Sequence, residues 1–335
     1  MTHGAAAPSG PKHRRDYTTG SLSRSIWHLA VPMVLEMGLV SLFRVADMYW
    51  VGKLGPEALA AITIGENIRW ALSGLAMGQG IGGLAVIARR IGEKDERGAN
   101  HAALQAVALA LGLTLLISVV GYVLAEPMLL LLGTEPAVVP QGLIFLQVTF
   151  GGLAGFLMVP ILNSLLRGAG EARMALGVRI LSYGLGLVIE PILIFGWGFL
   201  PPLGVAGAAL ALVGSQWVGF LVQIGVLVSG RARIRLDLRH LRIDPRLMWH
   251  IFSIALPSTL QMTLRSFSRA SLLAVVGIYG TFAVAAYGVA IRVFMTAFVP
   301  GFGLGNAAAT LVGQNLGAGK PDRAARSAWL IAAYN

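Results

Sequence analysis

The stretch from Ile26 to Gly55 reads IWHLAVPMVLEMGLVSLFRVADMYWVGKLG. It is long and apolar enough to cross a bilayer, yet it carries Pro32, Glu36, Arg44 and Asp47. An ionisable group at membrane depth costs roughly 2.5–3.5 kcal/mol on insertion scales, so such groups sit where protein or water receives them. One span cannot shelter its own charges. The rest of the chain must, and the pattern of this stretch returns 225 residues later.

Laid without gaps on Ala255–Gly317, the segment Ala30–Gly92 matches at sixteen of sixty-three positions. The identities include Pro32/Pro257, Ser41/Ser266, Arg44/Arg269, Gly55/Gly280, Gly78/Gly303 and Gly92/Gly317. Shared apolar composition does not by itself put identities on Pro and Gly. Six apolar spans separate the copies, so both copies cross in the same sense. A pseudo-twofold along the membrane normal is the expected relation, with a site between the halves.

Composition agrees with a membrane solvent. The 335 residues are 56% hydrophobic and 12% charged, and the mean hydropathy is +0.73. Ordinary soluble domains carry about 25% charged residues. The expected fold is an all-α polytopic membrane protein of two six-helix lobes. Spans are expected near 26–51, 58–88, 101–125, 138–166, 174–196 and 205–229 in the first lobe, then 250–276 and 282–312. A short interfacial turn of helix is expected between Glu126-Pro127 and Glu135-Pro136.

The domain reading follows: residues 1–25 a disordered cytoplasmic tail, 26–230 the N-lobe, 231–249 a basic linker, and 250–335 a partial C-lobe. The tail has no apolar run with a cleavage site, so it is not a signal peptide. Residue 335 corresponds to Ala110 of the first copy. The repeat therefore predicts a truncated chain that lacks most of span 9 and spans 10–12.

Charge distribution sets the expected orientation. With the N-terminus inside, twenty of the twenty-six Lys and Arg residues fall in inside segments, and Lys53 alone in an outside loop. The net charge of +11 is then positive-inside bias and anionic-lipid contact, with no nucleic acid implied. A multi-pass protein of the cytoplasmic (inner) membrane is expected.

Glu36 and Asp47 lie eleven residues apart, roughly 20° around a helix and ~16 Å along it. Asp47 reads either as neutralised by Arg44 at i−3 or as a titratable carboxylate in a cavity. Glu190-Pro191 interrupts span 5 just after Gly184 and Gly186. The proline frees a backbone carbonyl near the only acid of that span. Gly78-Gln-Gly80-Ile-Gly-Gly83 matches GxGxxG literally but lies inside an apolar helix, so close helix packing is its expected use. Arg265, Arg269 and Arg292 could bind an anionic group or pair with Glu36 and Glu66 across the lobes. Glu66, Asn67 and Arg69 could equally form one internal network. Zero cysteines exclude thiolate sites and cysteine nucleophiles, and no histidine pair has metal-ligand spacing.

These residues resemble a known family. Val45-Ala-Asp47-Met-Tyr-Trp-Val51-Gly52-Lys-Leu-Gly55, Leu166-Arg167-Gly168-Ala-Gly170-Glu171, Glu190-Pro191-Ile-Leu-Ile-Phe195-Gly196 and Leu311-Val-Gly313-Gln314-Asn315-Leu-Gly317 are similar to the signatures of MATE (multidrug and toxic compound extrusion) transporters. The resemblance implies a secondary antiporter, not an enzyme, that exports organic cations or drugs against proton or sodium entry. The family's amino-lobe site uses an acid on span 1, matched by Asp47. On span 5 it uses an Asn and an Asp four residues apart; here these positions hold Gly186 and Glu190. Loss of the Asn ligand favours a proton over sodium as coupling ion.

Asp47 and Glu190 are thus the expected proton site. Glu36, Tyr183, Gln261 and Arg269 are the candidate lining of a substrate cavity, and Pro32, Gly186 and Pro191 the candidate hinges. No cofactor or metal is expected beyond the coupling ion. The expected substrate is small, cationic and amphipathic, with membrane lipids as the other partners and a monomer as the assembly. The runner-up is a lipid-linked precursor flippase of the same superfamily, to which the intramembrane arginines would point. An intramembrane transferase would need clustered Asp motifs or a Ser/His pair at membrane depth, and neither is present.

Overall fold

The computed structural model describes residues 15–198, 200–237 and 243–335. It is built from helices: α1 (Leu22–Gly52), α2 (Pro56–Gly92), α3 (Glu96–Val123), α4 (Ala125–Leu131), α5 (Val139–Gly151), α6 (Leu153–Gly168), α7 (Ala172–Phe195), α8 (Gly204–Val228), α9 (Pro245–Gly277), α10 (Thr281–Gly317) and α11 (Pro321–Tyr334). Among the described residues the only β pairing is an isolated bridge, Trp197 with Leu200. Among the described residues, five helices are long and apolar enough to cross a membrane, and α5 with α6 would make a sixth, bent span.

Local chemistry sets the helix ends. Gly55 and Gly280, counterparts in the repeat, precede α2 and α10 at φ 100° and 89°, a conformation that favours glycine. Asp95 caps α3 by accepting from the Gly98 N–H at 2.8 Å. Asp244 caps α9 by accepting from the N–H groups of Arg246 and Leu247 at 3.0 and 3.1 Å, with Pro245 at the first helical position where its missing N–H is harmless.

Span 4, expected as one helix over 138–166, is two. α5 and α6 meet at a 50° bend where Gly151 and Gly152 adjoin. The loosened carbonyls are taken up by side chains: Trp217 Nε1 donates to Gly152 O at 3.1 Å and Ser118 Oγ to Phe150 O at 2.5 Å. Apolar composition runs unbroken through the bend, so hydropathy alone reads a single span.

The packing of the halves follows the repeat. A methyl added to Gly78 would lie 2.9 Å from the backbone N of Thr259, and one on Gly303 would lie 2.9 Å from that of Val34. Thr259 is the counterpart of Val34, and Gly303 of Gly78. Likewise Gly92 would press to 2.8 Å on the carbonyl carbon of Gln314, and Gly317 to 2.9 Å on that of Arg89. Each contact is made twice with the partners exchanged, as in an isologous interface. Of the GxGxxG glycines, Gly78 and Gly82 pack across the halves against Thr259 and Ile251, while Gly80 and Gly83 pack within the first half against Ser164 and Leu165 of α6; close helix packing is the use expected of the match.

Two segments differ from the expected domain reading. Residues 1–14 lie outside the described part, but Tyr17, placed in the disordered tail, is buried with Ile26, Leu29, Leu304 and Leu311. The basic linker also docks. Ala232, Ile234 and Leu236 are buried in a core with Ile87, Leu165 and Leu227, while the intervening arginines point away from that core. Residues 238–242 lie outside the description, and α9 begins within the stretch expected as linker. Elsewhere large apolar side chains face outward, Leu116, Val123 and Leu131 among them, as bilayer contact requires.

Candidate functional site

α1 and α7 start at the same end of the bundle and pack side by side. Two polar rungs join them. Glu36 of α1 meets Arg179 of α7, and eleven residues further along each helix Asp47 meets Glu190. Between the rungs the Phe43 and Tyr183 rings meet at a tilt of 46°, with centroids 4.9 Å apart.

The outer rung brings the carboxyl groups of Asp47 and Glu190 against each other. A hydrogen bond between them would need a proton on one of the two, because two carboxylates offer only acceptors. Glu190 is 3% exposed and its Oε1 is buried without a hydrogen-bond partner. Glu66 of α2 is near enough for its charge to act on both carboxyl groups. Glu66 itself is ion-paired with Arg69 on its own helix, and Arg69 lies over the Phe156 ring at 4.4 Å. The internal-network reading of Glu66 and Arg69 is therefore the observed one. Arg44 places its guanidinium 3.8 Å over the Trp70 ring.

Gly186 sits one helical turn before Glu190. A Cβ there would fall 3.0 Å from the Phe43 ring and 3.2 Å from Ser215 Oγ, so α1, α7 and α8 converge closely at this point. Pro191 follows inside an uninterrupted α7, as Pro32 lies buried inside α1. Both prolines remove an intrahelical hydrogen bond next to a rung.

The inner rung differs from its sequence reading. Glu36 was expected in a substrate cavity or paired across the lobes. Its Oε1 instead accepts from Arg167 Nη2 at 2.6 Å, Arg179 Nε at 3.1 Å and Asn163 Nδ2 at 3.2 Å. Asn163 Oδ1 in turn accepts from Gln223 Nε2. Glu36 is 1% exposed, and this network ties α1 to α6, α7 and α8. Arg167 of α6 and Arg179 of α7 are its cationic half. The signal that could have found them is arithmetic: a fully buried acid in span 1 requires cations from other spans. Tyr183 extends the rung, its hydroxyl 3.2 Å from Arg179 Nη1. Gln261, the repeat counterpart of Glu36, is exposed on α9, and the side chains of Arg269 and Arg292 lie outside the described residues.

The MatE family model matches residues 32–192 and again 257–333. The chain belongs to the MatE family. The two matches start at Pro32 and Pro257, counterparts in the internal repeat, so the family pattern is present twice. Among curated relatives, the FAD transporter of Shewanella oneidensis is 27% identical over 93% of this chain and 69% of its own length. The multidrug resistance protein NorM of Burkholderia vietnamiensis is 29% identical over 98% of this chain and 69% of its own. A solved structure of a multidrug resistance MATE family transporter in its outward-facing conformation superposes with a TM-score of 0.86 at 28% identity, covering 94% of this chain and 69% of that one. The chain thus spans about two-thirds of the length of these relatives. MATE proteins are integral membrane transporters of small molecules, not enzymes, and the apolar helices of this chain fit that setting.

Proposed function

We propose that this MATE protein is a proton-coupled antiporter that exports cationic, amphipathic compounds through an amino-lobe carboxylate pair. The observation that carries the reading is the apposition of the Asp47 and Glu190 carboxyl groups on two packed helices, which in this reading share one proton. Removing that proton leaves two like charges in contact, which separate or recruit a cation. The prolines beside the rungs, Pro32 and Pro191, and the small residue Gly186 are the hinges through which α1 and α7 respond. The NorM relative, named for multidrug resistance, supports a drug-like cargo. Gly186 offers no side-chain ligand, which favours a proton over sodium. By linkage, the coupling ion and the cargo shift the transporter only by their differential affinity for its two states.

The test uses everted vesicles with an imposed proton gradient and a lipophilic cation as cargo. Cargo-dependent dissipation that disappears in both Asp47→Asn and Glu190→Gln supports the reading. Dissipation that survives both substitutions overturns the site, and cargo movement driven by sodium alone overturns the coupling ion.

A further inference from the structure

A second polar feature lies at the end of the bundle where the basic segments gather. A cavity of about 370 Å³ opens between the start of α1, the α6–α7 turn and the segment after α8. Its wall carries Arg15, Arg173 and Arg233 from three separate segments, with Tyr17, His28 and Glu171. Three guanidiniums against one carboxylate leave the wall net cationic. The charges of all three arginines act on Tyr17, so they converge on one space. Arg233 Nε is buried and has no hydrogen-bond partner in the protein. The volume exceeds what a bare ion needs and falls in the range of small-molecule pockets.

We propose that this cavity binds a phosphate group, carried on an anionic phospholipid headgroup or as free phosphate. Guanidinium forks match phosphate oxygens bidentately, and a dianion or monoanion here relieves the mutual repulsion of the three arginines. The site is composite. Arg15 and Tyr17 come from the N-terminal segment, whose Tyr17 hydroxyl donates to Gly170 O at 3.3 Å and lies 2.9 Å from His28 Nδ1. That same segment reaches the other half, where Lys320 Nζ donates to Thr18 O at 2.9 Å and Arg323 Nη2 to Thr19 O at 3.1 Å. A bound phosphate therefore fastens a strap that bridges the two repeats. The proposal is independent of which ion drives transport.

The purified chain in non-ionic detergent is titrated with inorganic phosphate, with dioctanoyl phosphatidylglycerol and with dioctanoyl phosphatidylcholine, each against chloride at equal ionic strength. Thermal unfolding is followed by tryptophan fluorescence. A saturable upward shift with phosphate identifies free phosphate as sufficient; a shift with phosphatidylglycerol alone assigns the headgroup. In either case the apparent affinity falls about tenfold in Arg173→Ala and again in Arg233→Ala, as expected for charge-assisted hydrogen bonds. Arg231→Ala, on the same segment but outside the cavity, stays within about twofold of the parent, the scale of a rim charge. Arg173 is exposed, so its substitution keeps the test valid if Arg233→Ala does not fold. No shift in the parent, an equal shift with chloride, or an equal loss in Arg231→Ala overturns the proposal.

Discussion

Ala88 and Gly313 are counterparts in the internal repeat, and they touch each other: a methyl on Gly313 would lie 2.7 Å from the Ala88 Cβ. A residue that meets its own counterpart lies on the axis relating the copies. The tight glycines are arranged around that point, with Gly92 and Gly317 on the carbonyls of Gln314 and Arg89.

Gly92→Ala and Gly317→Ala are expected to destabilise the protein by similar amounts, about 1–3 kcal/mol each, because each forces a methyl onto backbone that cannot rotate away. Gly313→Ala meets a single side-chain methyl and costs less. Thermal unfolding of the three variants in detergent checks the order; a Gly92→Ala variant that matches the parent would contradict the packing.

Glu36→Gln leaves Arg167 and Arg179 buried without a countercharge. The expected loss is about 3–5 kcal/mol, the range for breaking a buried pair by removing one partner. Both side chains of the closest pair are well shielded, Arg167 at 7% and Glu36 at 2% exposure, so solvent screening does little to soften it. Pairing Glu36→Met with Arg167→Met should cost less than the sum of the two single changes, measured as a double-mutant cycle by thermal unfolding.

Restoring the family's amide by Gly186→Asn should not by itself create a sodium site. The new Cβ meets the Phe43 ring at 3.0 Å, and overpacking there costs about 1–3 kcal/mol. Gly186→Asn combined with Phe43→Leu should recover the stability. Sodium-dependent stabilisation in the double variant, absent in the parent, is the readout.

Burial pushes the Tyr17 phenol up to about 12, with the nearby Glu171 charge acting in the same direction. The folded state therefore holds the phenolic proton more tightly than the unfolded one. Its contribution is fully present below the ordinary tyrosine value of 10.0 and is lost as pH rises towards about 12. Docking of the N-terminal segment, followed by protease cleavage after Arg24, should be constant at neutral pH and weaken above that lower value. Tyr17→Phe should remove this pH dependence while weakening docking throughout.

Much of this was legible because it is periodic. The repeat pointed to two halves related by a pseudo-twofold; that α1 and α2 meet α10 and α9 there is a finding of the structure. Asp47 and Glu190 were legible through the resemblance, as acids where membrane spans tolerate few. The partners of Glu36 were not, because Arg167 and Arg179 are separated from it by 131 and 143 residues and sit near loops where positive charge is common. The docking of the linker does carry a signal in the sequence. Arg231-Ala-Arg-Ile-Arg-Leu236 alternates charged and apolar residues, and alternation means one face is buried. Tyr17 had no such pattern; a single aromatic in a polar tail declares nothing until its neighbours are folded.

The inherited contacts and the acquired chemistry obey different rules in this chain. Backbone-to-backbone positions are kept in duplicate, Gly78 with Gly303 and Gly92 with Gly317. The acids are not: the counterpart of Asp47 is Leu272 and that of Glu36 is Gln261. After a duplication, a glycine lost from one copy spoils an interface that both copies share, whereas an acid lost from one copy leaves the other able to work. Selection on the joint therefore holds the halves alike, and selection on the buried acids lets them specialise.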